Sequence, residues 1–260
     1  MILGLIGLGL GLALAAGEAP AQERMRGGRR SMGGLPANVP YDGRFTFARI
    51  RYDPPGSGLS SFDGFGGREP PWAHDYDRGE RHFTRILAEL TTLAPRTAES
   101  NIFTLDDPEL FKFPVAYLCE PGFWGPNEKE MEGLRNYLKK GGFLIVDDFV
   151  SNQWYNFETQ ILKVLPDARL VPLTPAHPVF DSFYRIESLE YEHPYYRGFQ
   201  SQFVGIFEDN DPAKRLMVII NYNNDIGEYW EFSDTGYFPI DLSNTAYKLG
   251  VNYVVYALTR

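Results

Sequence analysis

Residues 45–260 are predicted to form an α/β domain: a mostly parallel, doubly wound sheet with flanking helices and an antiparallel or edge strand addition. Three observations predict it. Short apolar runs of strand length alternate with amphipathic helical stretches. A helix ending at Gly141-Gly142 feeds the buried run Phe143-Leu144-Ile145-Val146, which stops at the adjacent acids Asp147 and Asp148. Two further runs, 203–207 and 215–221, are separated only by a polar turn.

The elements follow in order. Residues 45–52 alternate apolar and polar side chains and read as a strand, stopped by Asp53-Pro54-Pro55-Gly56. A Gly/Ser/Pro-rich loop then runs to Trp72; a loop this long in a compact domain is usually functional or mobile. A helix over about 77–93 places Phe83, Ile86, Leu87 and Leu90 on one face. Residues 102–105 and 113–119 are strands. Asn127 caps the next helix, Glu128 and Glu130 suit its dipole, and Lys139-Lys140-Gly141 closes it. After the strand at 143–146 come a helix over 155–164, a short strand at 168–171 and the two strands already named. A helix over 243–257 ends the chain.

The composition is that of one folded domain with extensions. The chain has 260 residues, 43% hydrophobic and 15% aromatic, more than a disordered chain carries. A formal net charge of -9 argues against nucleic acid as a partner. The single Cys119 excludes an intramolecular disulfide and a cysteine-based zinc cluster, and His74, His82, His177 and His193 show no ligand spacing. No metal and no cofactor are therefore expected. Gly64-Phe65-Gly66-Gly67 follows no strand at the right distance, which disfavours a nucleotide. Residues 1–21 resemble a secretory signal peptide with an A-x-A-like site at Ala19-Pro20-Ala21, though without a basic start. They read as a cleaved signal or a short anchor, giving a secreted or periplasmic chain. Residues 22–44 form a Gly/Arg-rich linker.

Several motifs occur together in order: Trp72-Ala73-His74-Asp75-Tyr76, the 134–148 helix and strand, His177-Pro178-Val179-Phe180, the 222–231 stretch, and Gly250-Val251-Asn252-Tyr253 with its continuation to Ala257. Over roughly 45–260 they resemble the family catalogued as domain of unknown function 4159. That resemblance implies a class I glutamine-amidotransferase-like, flavodoxin-like fold, no established reaction, and envelope or membrane-associated protein partners.

The residues themselves argue against amidotransferase chemistry. Asp147 stands where that fold would carry its nucleophilic cysteine. Cys119, flanked by Leu118, Glu120 and Pro121, lacks the small neighbours of a nucleophile elbow and reads as a buried structural thiol. No His-x-Glu partner is evident. Asp147 and Asp148 have three readings: capping of a following helix, ligand or Mg²⁺/Ca²⁺ binding together with Glu120, and acid/base catalysis with His74 as the proton carrier. Adjacent strand residues point to opposite faces, so the two acids need not converge. Trp72, Tyr76, Tyr222, Asp225 and Trp230 are candidate ligand-binding residues, with core packing or a helix-entry staple as the alternative for the Trp72 segment. The 221–231 stretch reads as a lid or a docking surface. The expected function is a non-catalytic binding or scaffold domain in an envelope-associated complex; the alternative is a carboxylate- or metal-assisted hydrolase-like enzyme acting on a sugar or peptide.

Overall fold

The computed structural model describes residues 35–54 and 70–260. The expected leader, residues 22–34 of the expected linker and the glycine-rich run at 64–67 lie outside the described residues. In chain order the elements are β1 (Ala48–Ile50), α1 (Arg78–Leu90), β2 (Asn101–Phe103), β3 (Val115–Cys119), α2 (Glu128–Lys139), β4 (Phe143–Phe149), α3 (Gln153–Val164), β5 (Val171–Pro172), β6 (Gln202–Phe207), β7 (Leu216–Tyr222), α4 (Ile226–Glu231) and α5 (Ile240–Thr259), with short 3-10 turns between them.

One seven-stranded sheet runs β2-β1-β3-β4-β7-β6-β5. Neighbours from β2 to β7 are parallel, and β6 is antiparallel to both β7 and β5. The predicted parallel sheet and its antiparallel addition are both present. β3 and β4 are buried along their whole length, as strands covered on both faces must be. Phe83 and Leu87 of α1 pack with Leu249, Tyr253 and Val254 of α5 in one core. Asn38 and Val39, at the end of the expected linker, exchange side-chain hydrogen bonds with Asn101 and Ile102 at the β2 edge.

Local signals explain how β4 is delivered. Asn127 accepts from the Lys129 and Glu130 amides while Glu130 accepts from the Asn127 amide, a reciprocal cap on α2. Gly141 then adopts φ 111°, a conformation open to glycine, and turns the chain into β4. Several boundaries differ from the sequence pattern: β1 is shorter than 45–52, and β4 runs on to Phe149. β5 has only two residues, α5 starts three residues earlier, behind Pro239, and the 221–231 stretch is neither lid nor surface. Its second half is α4, whose Ile226, Tyr229 and Trp230 are buried. Among the described residues no helix is long and apolar enough to cross a membrane.

Candidate active site

The strand order reverses direction at β1, with β2 on one side and β3 on the other. In open α/β sheets such a switch point leaves a crevice at the carboxyl ends of the strands. Four segments converge there. His74 and Asp75 follow β1 beyond the Pro71–Ala73 turn, Cys119 and Glu120 end β3, Asp148 lies in the last turn of β4, and Asp225 and Glu228 come from the β7–α4 junction.

The two adjacent aspartates have separate roles. Asp147 is fully buried, and its Oδ2 accepts from the Tyr117 hydroxyl (2.8 Å) and the amides of Ile226 (2.9 Å) and Gly227 (3.0 Å). Its Oδ1 accepts from Asn221 Nδ2 at 3.1 Å. It anchors the first turn of α4. Burial pushes its pKa up to about 7, against the lowering effect of these donors. Asp148 turns the other way: the β4–β7 register slips between Val146 and Phe149, and Asp148 takes a left-handed φ of 62°. Its Oδ2 meets His74 Nδ1 at 2.7 Å and its Oδ1 accepts from the Tyr196 hydroxyl at 2.7 Å.

His74 is the hub. Nδ1 lies 3.8 Å from both Asp75 and Glu120 as well as 2.7 Å from Asp148, and Nε2 lies 3.7 Å from Glu228. Burial opposes its protonation, but the carboxylates of Asp75 and Asp148 outweigh burial and hold the imidazole well above its ordinary range. Asp148 is conversely lowered despite its burial, because His74 and Tyr196 favour its charged form. Burial and neighbouring carboxylates raise Asp75 and Asp225 well above the usual range and push Glu228 up to about 7. Neither oxygen of Asp75, a residue only 3% exposed, meets a hydrogen-bond donor among the described residues. Unpaired buried carboxylates are costly.

The backbone is shaped to bring these acids together. Asp75 (φ 64°), Glu120 (φ 44°) and Asp148 (φ 62°) are all left-handed. For non-glycine residues that costs about 1–3 kcal/mol each, and such strain gathers at functional sites. Arg49 of β1 fixes the His74 segment from below. Its guanidinium, 1% exposed, pairs with Glu80 of α1 and donates to the carbonyls of Trp72 (2.9 Å) and His74 (2.7 Å). It also stacks on the Tyr117 ring at 5.0 Å.

Of the sequence candidates, His74, Glu120, Asp148 and Asp225 meet in this cluster; Asp147 does not reach it. Trp72 and Trp230 are 3% and 1% exposed and offer no face to a ligand. Trp230 stacks on Phe83 with centroids 4.4 Å apart. Tyr76 is half-buried, and Tyr222 packs on Trp154 while its hydroxyl donates to the Ser151 carbonyl. Alternation along β7 turns Tyr222 away from the face that carries Asn221. Cys119 is fully buried, and burial together with Asp148 raises its thiol well above the ordinary value. Arg49, Asp75, Tyr196 and Glu228 were not among the candidates. Arg49 reads as the polar, solvent side of an alternating strand, and Tyr196 lies in a segment without periodicity.

The expectation of a non-catalytic scaffold is overturned here. It rested on the missing cysteine triad, the linker and the membrane-associated partners that the family resemblance implies, whereas the structure gathers His74, Asp75, Cys119 and Asp148, and also His74, Asp225 and Glu228, with ligand atoms within 4.8 Å of one another within each group. So many buried acids around one imidazole weigh against a purely structural role. Residues 46–258 match the family described as Domain of unknown function (DUF4159). The chain belongs to that family. No curated protein matches the sequence. The family description supplies no reaction, so the chemistry of this DUF4159 domain is read from its own cluster.

Proposed function

We propose that this DUF4159 domain is a hydrolase-like enzyme acting on a sugar or peptide, with water activated by a carboxylate or by a carboxylate-held metal. One observation carries the reading: His74 is gripped through Nδ1 by Asp148 at 2.7 Å, and its Nε2 stands 3.7 Å from Glu228. The imidazole has a fixed orientation, one nitrogen aimed at a second acid, and a side chain still 33% exposed. A water held by Glu228 beside Nε2 would bond through its oxygen to a glycosidic or acyl carbon as the C–O or C–N bond breaks. One water proton passes to a cluster carboxylate, and the leaving group takes a proton from the same cluster. Hydrolysis consumes no oxidant or further co-substrate.

Kinship with the amidotransferases is part of the proposal, supported by the strand order and the carboxyl-end site, but the nucleophile has been replaced. Asp148, rather than the Asp147 expected from the sequence, takes the left-handed backbone at the end of β4, and Cys119 is buried. Export is likewise proposed, on the uncharged apolar run over residues 1–16 and the A-x-A-like site that follows; envelope or membrane-associated proteins would then be its neighbours.

The test is a panel of chromogenic glycosides and fluorogenic peptides given to the full chain, with His74→Gln as the blank. At least one substrate should be hydrolysed, with a loss of roughly 10²–10⁴-fold in His74→Gln. Turnover no faster than the blank across both classes refutes the reading.

A further inference from the structure

Among the described residues, the acids Asp75, Asp148 and Glu228 outnumber the one imidazole they surround. Among the described residues, the ion pairs of Asp75, Asp148 and Glu228 are all with the single imidazole of His74. The nearby guanidinium of Arg49 is committed to Glu80. An acidic cluster alone would mean little, since such clusters occur without ions. Asp75 adds an independent observation: at 3% exposure, neither of its oxygens meets a donor among the described residues, and one of them lies within 4.8 Å of a Glu228 ligand atom.

His74 is also held as a metal ligand would be. A ligating histidine commonly gives its other ring N–H to a carboxylate, which fixes the tautomer and strengthens the free nitrogen as a donor. Asp148 occupies that position on Nδ1, and Asp148 is itself fixed by the Tyr196 hydroxyl at 2.7 Å. The free Nε2 faces Glu228, and one ligand atom each from His74, Asp225 and Glu228 lie within 4.8 Å of one another. Asp75 forms similar groups with His74 on one side and with Glu228 and Glu231 on the other.

We propose that His74 Nε2, Asp225 and Glu228 hold one divalent first-row cation, Zn²⁺ or Mn²⁺, with Asp75 completing the ligand set. An imidazole among carboxylates suits these ions better than Ca²⁺ or Mg²⁺, which prefer oxygen alone. The ion would lower the pKa of a bound water and so supply the nucleophile. That role rests on the hydrolase reading; the binding site itself does not.

The experiment uses the full chain, stripped with chelator and titrated with Mn²⁺ under electron paramagnetic resonance, with Zn²⁺ and Ca²⁺ as competitors. One Mn²⁺ should bind per chain, displaced by Zn²⁺ and not by equimolar Ca²⁺. Asp148→Asn should weaken binding about 10–100-fold. Asp75→Asn should weaken binding too, yet not lower the melting temperature of the metal-free chain, because neither Asp75 oxygen accepts a hydrogen bond among the described residues. A merely structural acid would lower that temperature when removed. Absence of saturable binding up to millimolar Mn²⁺, displacement by Ca²⁺, or wild-type affinity in both variants overturns the site. Hydrolysis that persists without metal uptake defeats this inference alone, and metal uptake without hydrolysis of any panel substrate defeats the hydrolase reading alone.

Discussion

Arg49→Met tests whether the site is held from beneath. The guanidinium is 1% exposed and serves three acceptors: the Glu80 carboxylate, also 1% exposed, and the carbonyls of Trp72 and His74. Removing one member of a buried ion pair strands the other and costs about 3–5 kcal/mol. For a folded unit of this size that lowers the melting temperature by roughly 6–20 °C. Adding Glu80→Gln to Arg49→Met removes the stranded charge but not the two carbonyls left without their donor. Part of the loss should therefore return, with a coupling of about 1–3 kcal/mol in a double-mutant cycle. Urea unfolding of the wild type, both single variants and the double variant measures it. A loss below about 1 kcal/mol for Arg49→Met, together with zero coupling, would show that Arg49 does not anchor the His74 segment.

Further outcomes follow from the same geometry. Asp147→Ala should destabilise the chain by about 3 kcal/mol, since two α4 amides, the Tyr117 hydroxyl and Asn221 lose one shared acceptor. Asp148→Asn should lose hydrolysis; it breaks the pair with His74, whose side chain is 33% exposed, so its cost in urea unfolding should fall below that of Asp147→Ala, and the opposite ranking would reverse the roles given to the two acids. His193, fully buried against Tyr196, Tyr229 and Phe238, has its pKa lowered by burial to about 4. Neutral in the folded chain, it contributes stability that is full above its unfolded pKa near 6.5 and is lost as pH falls from there towards 4. The loss should reach about 3 kcal/mol at pH 4, and in urea unfolding His193→Phe should flatten that slope. Cys119 should resist a thiol reagent in the native chain and react fully once unfolded; rapid native labelling would contradict its burial.

The fold was legible in the sequence because its signals are local. The Asn127 cap, the glycine at position 141, the apolar run of β4 and the alternation with amphipathic helices each involve residues within a few positions of one another. Such patterns fix where elements begin and which faces they bury. The carboxyl ends of the strands were legible too, so His74, Glu120 and Asp148 could be named as neighbours of one crevice. The 221–231 stretch was less so: it read as a lid or a docking surface, but Asp147, 79 residues from Ile226, supplies the acceptor that helps hold it as a buried helix.

Sequence by itself determined the parallel α/β sheet with its antiparallel addition, the exclusion of disulfides and the region of the site. Tertiary structure alone decided which of two adjacent aspartates faces that site, because a register slip in β4 and a left-handed φ at Asp148 set their directions. It also decided that Arg49 and Glu80 are buried partners and that His74 meets Asp148. Those are contacts between segments tens of residues apart, where spacing along the chain carries no distance in space. Histidine spacing showed no ligand motif for the same reason: the acids around His74 come from four separate strand ends.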